Sequence, residues 1–216
     1  MTSALPIEMV SDVVCPWCFI GKRRLEKAIA LRPDIAVEVR FWPYFLNPWV
    51  PREGISRKDY LTTKFGSPER YRTIAQAAAA ERLSYNLDDI KRQPNTLDCH
   101  RLILWAGEIG HAANMKQRLM DLYFTEGGDL TDRDVLVAAA AACGLDAERV
   151  RARLASEDDV ERVTREANSA KDAGIDGVPC FIFGGRIAVQ GAQTPEHLAQ
   201  AIDRAVSEHA NRPAAE

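Results

Sequence analysis

Two cysteines separated by two residues, Cys15-Pro16-Trp17-Cys18, constrain this chain more than any other feature. The residues before them, Ile7 to Val14, read as a strand. Those after them, Phe19 to Leu31, read as a helix with a basic face. A strand, then C-x-x-C, then a helix is the context of a thiol–disulfide redox site. Positions i and i+3 of a helix have Cβ atoms roughly 5–6 Å apart. A disulfide needs about 3.5–4.5 Å, so a small adjustment closes it. The first cysteine sits at the helix N-terminus, where unpaired N–H groups and the helix dipole favour a thiolate. Pro16 suits a first turn that has no N–H partner to lose.

Other uses of the pair fit the sequence less well. Half of a zinc site needs two more ligands at suitable spacing. The remaining cysteines, Cys99, Cys143 and Cys180, are isolated, and His100, His111, His197 and His209 are scattered. Cys99 and His100 are adjacent, so on one helix they point about 100° apart. No metal is therefore expected. A purely structural disulfide closing four residues constrains the unfolded chain little.

The 216 residues, 46% hydrophobic, suffice for one substantial core or two coupled ones. With 28 basic and 31 acidic residues, the net charge is −3, and no basic stripe suggests nucleic acid. Met1 to Pro6 carries neither the basic nor the apolar part of a signal peptide. The longest apolar run, Val135 to Cys143, is too short to cross a bilayer. The expected location is the cytoplasm, where structural disulfides are rare. Neither a nucleic acid nor a membrane is expected as a partner.

Ala36 to Phe41 alternates apolar and polar residues, a second strand after the break at Pro33-Asp34. Residues 7–47 thus read as β-α-β, two parallel strands with a right-handed crossover. From about Ser56 to Ala173, alanine, arginine, glutamate and leucine dominate. Helices are expected from Pro68 to Arg82, Thr96 to Ile109, Asn114 to Thr125, Ala147 to Ala155 and Asp158 to Ala173. Another, N-capped by Thr131, runs to Cys143. Strand character returns at Val178 to Phe183. Gly184-Gly185 is a two-residue hairpin turn, Arg186 to Val189 pairs back, and Thr194-Pro195-Glu196 opens a last helix. The fold class expected is α/β. A thioredoxin-like core of residues 1–52 and 174–216 holds an all-helical domain, residues 53–173, between its N-terminal βαβ and C-terminal ββα units.

Four segments, in order, carry a resemblance that covers almost the whole chain. Ser11 to Arg24, around the cysteines, resembles the active-site segment of the DsbA-like thiol–disulfide oxidoreductases of the FrnE type. Pro94 to Leu102, Gly174 to Pro179 and Gln190 to Gln193 resemble that family's helical-domain segment, its cis-proline loop and its post-hairpin turn. Cys99 and Cys180 depart from it, standing where a small residue and a threonine are expected. Kappa-class glutathione transferases and 2-hydroxychromene-2-carboxylate isomerases share the architecture. They use serine at the first active-site position and an acidic-basic pair after the hairpin, where this chain has Cys15 and the neutral Gln193.

The resemblance implies a redox-active disulfide and no other cofactor, with glutathione a candidate reductant. The implied partners are protein or peptide thiols and disulfides. A homodimer is compatible with the sequence, which does not fix the oligomeric state. Cys15, exposed at the helix tip, is the expected nucleophile, and Cys18, one turn inward, resolves the mixed disulfide. Pro16 stiffens the turn. Trp17 either stacks on substrate or packs against the helical domain. A cis Val178–Pro179 bond is expected to face the cysteines and offer Val178 backbone groups to an extended substrate. Asn95, Thr96 and His100 are candidates for the opposite wall of a groove. Lys22, Arg23 and Arg24 read as a solvated helix face. Cys99, Cys143 and Cys180 read as buried thiols, and Trp42, Trp49 and Trp105 as core or interdomain packing. Two other functions are kept: a glutathione-dependent isomerase or transferase of small aromatic substrates, and a non-catalytic redox-sensing chaperone.

Overall fold

Apolar alternation and turn chemistry set the order of elements. The structure, a computed structural model, describes residues 4–65 and 70–210. Strand β1 (Leu5–Ser11), helix α1 (Pro16–Ala30) and strand β2 (Val37–Pro43) come first. A short pair, β3 (Ile55–Ser56) and β4 (Arg92–Gln93), brackets helices α2 (Arg57–Phe65) and α3 (Arg70–Ala80). Helices α4 (Leu97–Gly107), α5 (Ala112–Phe124), α6 (Arg133–Ala142), α7 (Ala147–Ala155) and α8 (Val160–Asp172) follow. Strands β5 (Cys180–Phe183) and β6 (Ile187–Gln190) and helix α9 (Pro195–Ala210) end the described chain.

The main sheet has the order β2-β1-β5-β6. β1 runs parallel to β2, with Leu5 opposite Val37, and antiparallel to β5, with Ile7 opposite Phe183. The hairpin turn at Gly184 and Gly185 has φ of +60° and +71°, which glycine adopts without a Cβ penalty. β1 is shorter than its apolar run suggests. Val13 and Val14 leave the strand because the Cys15 N–H donates to the Asp12 carbonyl at 3.2 Å, turning the chain into α1.

One hydrophobic cluster runs through both the sheet and the helical block, joining Ile7, Met9 and Phe181 to Met120 and Tyr123. At its centre Phe19 of α1 stacks on Phe124 of α5, with centroids 5.2 Å apart. Polar ties add to this packing. Arg24 and Lys27 of α1 both hold Glu81, whose side chain is 8% exposed, each at 2.6 Å.

Several expectations need correction. Asp132, not Thr131, caps α6, accepting from the amides of Asp134 and Val135, while the Thr131 hydroxyl donates to Asp129. The basic run of α1 is not a solvated face. Lys22 is buried and donates to Gln117 at 2.8 Å, and Arg24 reaches Glu81 and the Ala192 carbonyl. Only Arg23 keeps a well-exposed side chain. Trp105 is a core residue, but Trp42 and Trp49 are exposed. The expected helix start at Pro68 and the tail from Asn211 lie outside the described residues.

Candidate active site

The chain reverses at Asp12 and enters α1 with Cys15 as its N-cap, in an extended conformation, and Pro16 at the first helical position. The carbonyl of Cys15 then accepts the amides of Cys18 at 3.0 Å and Phe19 at 3.2 Å. These bonds place the two cysteines on one turn, side by side. Both are free thiols, and their side chains interact electrostatically. Burial pushes the Cys18 thiol well above the usual thiol range, and the Cys15 side chain pushes it further. The charge of Lys116 and a backbone hydrogen bond from Asp12 pull it back in part. Burial therefore favours the protonated thiol at Cys18.

Cys15 is less open than its place at the helix tip suggests. It is 3% exposed, because the loop before β5 folds over it. The Val178–Pro179 peptide bond is cis, and the Cys15 thiol donates to the Val178 carbonyl at 3.6 Å. Gly21 of α1 lets this loop approach. A Cβ at Gly21 would lie 2.7 Å from Cγ of Pro179. The Pro179 carbonyl is in turn held by the Gly191 amide at 2.7 Å, which ties the post-hairpin turn to the loop. Pro16 is half-buried, and Trp17, beside the cysteines, is 36% exposed.

Of the three residues expected on a groove wall, one is engaged in local hydrogen bonds and two are buried. Asn95 donates to the Val50 carbonyl at 2.8 Å and accepts the Leu97 amide at 3.0 Å, so its amide is spent fixing the start of α4. Thr96 and His100 are buried. They turn inward because the start of α4 faces the body of the protein, and Arg101 beside them is fully buried too. Arg101 reaches the carbonyls of Arg153, Ser156 and Asp158, at the end of α7 and in the turn after it. The Pro94 to Leu102 segment thus ties α4 to the residues after α7. His100 also borders a cleft of about 560 Å³ between β2 and helices α4, α5 and α8, which neither cysteine lines.

Beneath the cysteines lies a charged group that sequence reading passed over. Asp12, 1% exposed, accepts the Leu46 amide at 2.9 Å through Oδ2. Its Oδ1 is 3.3 Å from Nε2 of His100, close enough for an ion pair but outside hydrogen-bond geometry. Lys116 of α5 is 0% exposed and its Nζ has no hydrogen-bond partner. It interacts electrostatically with Cys18, Asp12 and Cys15. The sequence did hold a signal. Lys116 shares a helical face with Leu119, Met120 and Tyr123, the 3- and 4-residue spacing of a buried stripe. Lys64 of α2 adds a second cation facing Cys15 and Asp12, its ammonium lowered by burial. Among the described residues no group of three or more His, Cys, Asp and Glu side chains is placed to hold a metal ion.

The DSBA-like thioredoxin domain model matches residues 6–203. The chain belongs to the DSBA-like thioredoxin family. Its fold is similar to that of a probable DsbA oxidoreductase from Streptomyces coelicolor, with 32% identity, a TM-score of 0.87, and 98% and 93% of the two chains covered. A cytosolic disulfide reductase, DsbM, from Pseudomonas aeruginosa shares the fold at 19% identity and a TM-score of 0.65, covering 95% of this chain and 98% of that one. A Bacillus subtilis protein, YwbO, is 26% identical over 198 residues, 91% of this chain and 94% of its own. Membership in the DSBA-like family supports thiol–disulfide oxidoreductase chemistry in the general sense. Among the described residues no helix is long and apolar enough to cross a membrane.

Proposed function

We propose that the chain is a cytoplasmic oxidoreductase of protein or peptide disulfides, with Cys15 as nucleophile and Cys18 as resolving thiol. One observation carries this reading. Two free thiols lie at the N-cap and in the first turn of one helix, the outer one against the Val178 carbonyl. Cys15, at the end where the helix dipole favours an anion, attacks a client disulfide as the thiolate. One client sulfur leaves and the other stays bonded to Cys15. Cys18 then attacks Sγ of Cys15 and expels the second client sulfur, leaving the Cys15–Cys18 disulfide. Two equivalents of glutathione restore the dithiol and become glutathione disulfide. Trp17 and Val178 meet the client, the Val178 backbone, held in place by the buried Pro179, pairing with an extended segment.

Cys15 in place of serine disfavours the glutathione-dependent isomerase reading. Gln193 points the same way, since its amide donates to the Gln190 carbonyl of its own turn at 2.9 Å. The test is insulin reduction by a dithiol or by glutathione. Many turnovers per protein molecule, abolished in Cys15→Ser, are expected. A response that stops at one equivalent would place the chain with non-catalytic redox sensors instead.

A further inference from the structure

The main sheet has two outer strands, and their edges differ. β2 carries Glu38 and Arg40, ends in Pro43, and lies beside helices α4, α5 and α8. Charge, proline and a covering element keep a sheet edge from pairing with another chain. β6 is different. Ile187-Ala188-Val189-Gln190 is uncharged and proline-free, and among the described residues no strand pairs with its outer side. We propose that a second copy of the chain docks here, β6 against β6, antiparallel across a two-fold axis centred on Ala188. This contact is independent of the thiol–disulfide chemistry proposed above.

The backbone hydrogen bonds select both the partner and the register. In an antiparallel ladder a residue turns its N–H and C=O to the same side, and the side alternates along the strand. The Gly191 amide donates to the Pro179 carbonyl at 2.7 Å, in register with the β5–β6 pairing. Ile187, Val189 and Gly191 therefore face β5, and Ala188 and Gln190 face outward. Both outward residues are exposed. The Gln190 carbonyl is already bonded to Nε2 of Gln193 at 2.9 Å, and the Arg186 amide to the Phe183 carbonyl at 3.2 Å. The edge still offers the N–H and C=O of Ala188, the N–H of Gln190 and the C=O of Arg186. Any extended peptide can meet a free edge, but this set is complementary to itself. With Ala188 opposite Ala188, the two alanines exchange two hydrogen bonds, and each Gln190 N–H meets the Arg186 carbonyl of the other copy. The two groups already bonded are those that this register would otherwise set against each other. A ladder centred on Val189 would instead aim the Ala188 N–H at the already bonded Gln190 carbonyl.

The flank of the edge suits the same partner. β6 and α9 enclose a shallow groove of about 520 Å³. Its α9 wall carries the exposed residues His197, Arg204 and Glu208, spaced by seven and four on one helical face. Arg204 and Glu208 form no ion pair among the described residues. A two-fold contact lays a patch against itself. Arg204 and Glu208, of opposite sign and one turn apart, can then pair from copy to copy.

Analytical ultracentrifugation of the full chain tests this. The wild type should sediment at twice the chain mass at about 10 μM. Ala188→Lys sets like charges face to face at the axis. Ala188→Pro removes the central N–H, which at an outward edge position costs the monomer no ladder bond. Both variants should sediment as single chains, their dimer dissociation constant raised at least tenfold, while insulin reduction stays within twofold of wild type. Hydrogen exchange reads the register: the Ala188 and Gln190 amides should be protected in the wild type, and the Gln190 amide should exchange freely in Ala188→Lys. A wild type that sediments as a single chain overturns the proposal. So does a dimer that survives Ala188→Lys, since the contact then lies elsewhere. Should the proline variant not fold, the lysine variant, altered at an exposed side chain, decides alone. A dimer of this kind that reduces no insulin would defeat the thiol–disulfide reading and leave the contact standing.

Discussion

Sγ of Cys15 lies 3.6 Å from the carbonyl oxygen of Val178, a contact between residues 163 positions apart in the chain. The helix that carries the thiol and the loop that covers it meet at Gly21, where a side chain would strike Cγ of Pro179 at 2.7 Å and Cζ of Phe181 at 3.2 Å. Both neighbours are buried, so neither can swing away. Gly21→Ala should therefore cost about 1–3 kcal/mol of overpacking, offset by up to ~1 kcal/mol of helix propensity. Because the displaced loop holds the Val178 carbonyl, disulfide reduction should fall as well. Gly107→Ala, whose Cβ would meet nothing nearer than 3.7 Å, is the control and should leave both properties near wild type. Equal denaturation midpoints for the two variants would contradict this account of the loop.

Trp17 is 36% exposed beside the thiols and carries no charge. Trp17→His should stabilise the reduced thiolate and make the disulfide more oxidising, by on the order of 30 mV, tenfold in equilibrium constant. Equilibration with glutathione at pH 6 and pH 8 measures it, and the shift should be larger at pH 6, where histidine is charged. A potential that does not move, or moves negative, would mean that Trp17 does not act through electrostatics.

Glu81 is clamped between Arg24 and Lys27, so it joins α1 to the segment that follows α3. Burial would raise its carboxyl, but the hydrogen bonds from Lys27 and Arg24 outweigh burial and lower it. A lowered folded-state value means stability that is complete above the unfolded carboxyl, about 4.3, and lost as pH falls through the folded value. Glu81→Gln should lose about 1–2 kcal/mol at pH 7, less in high salt because Lys27 is partly exposed. The difference from wild type should shrink as the pH is lowered below about 4. Urea midpoints of the two proteins at pH 7 and pH 3 check this. A gap that is unchanged at pH 3 would contradict it.

The parts of the fold that are local in sequence were legible. The cysteine pair with its strand and helix, the Gly184-Gly185 hairpin and the parallel β1–β2 pair rest on neighbouring residues and their periodicity. Where the sequence reading failed, the cause was tertiary. Lys22 and Arg24 look like a solvated run until Gln117, Glu81 and the Ala192 carbonyl are brought to them. Cys15 looks exposed until a loop 163 residues later closes on it. Helix α2 went unread because Arg57–Phe65 has a weak apolar stripe, and the pairing of β3 with β4 bridges 36 residues and more. Lys116 was readable in principle, as a charged residue on an apolar helical stripe, but only the fold shows its ammonium fully buried over the Phe41 ring.

The order of reactivity among the five thiols should follow their surroundings. With limiting iodoacetamide on the native reduced protein, Cys15 should be modified first. Cys18 and Cys99, each 0% exposed and raised by burial, should stay unmodified until the chain is unfolded. Peptide mass spectrometry reads the order. Modification of Cys18 ahead of Cys15 would reverse the roles assigned to them.

The most direct test is the covalent intermediate itself. Cys18→Ser protein, incubated with a disulfide-bonded peptide, should accumulate one mixed disulfide per molecule. Mass spectrometry should locate it at Cys15, and Cys15→Ser should form none. A client peptide found on Cys99, Cys143 or Cys180, or no stable adduct in Cys18→Ser, would contradict the assignment of Cys15 as nucleophile and Cys18 as its resolving partner.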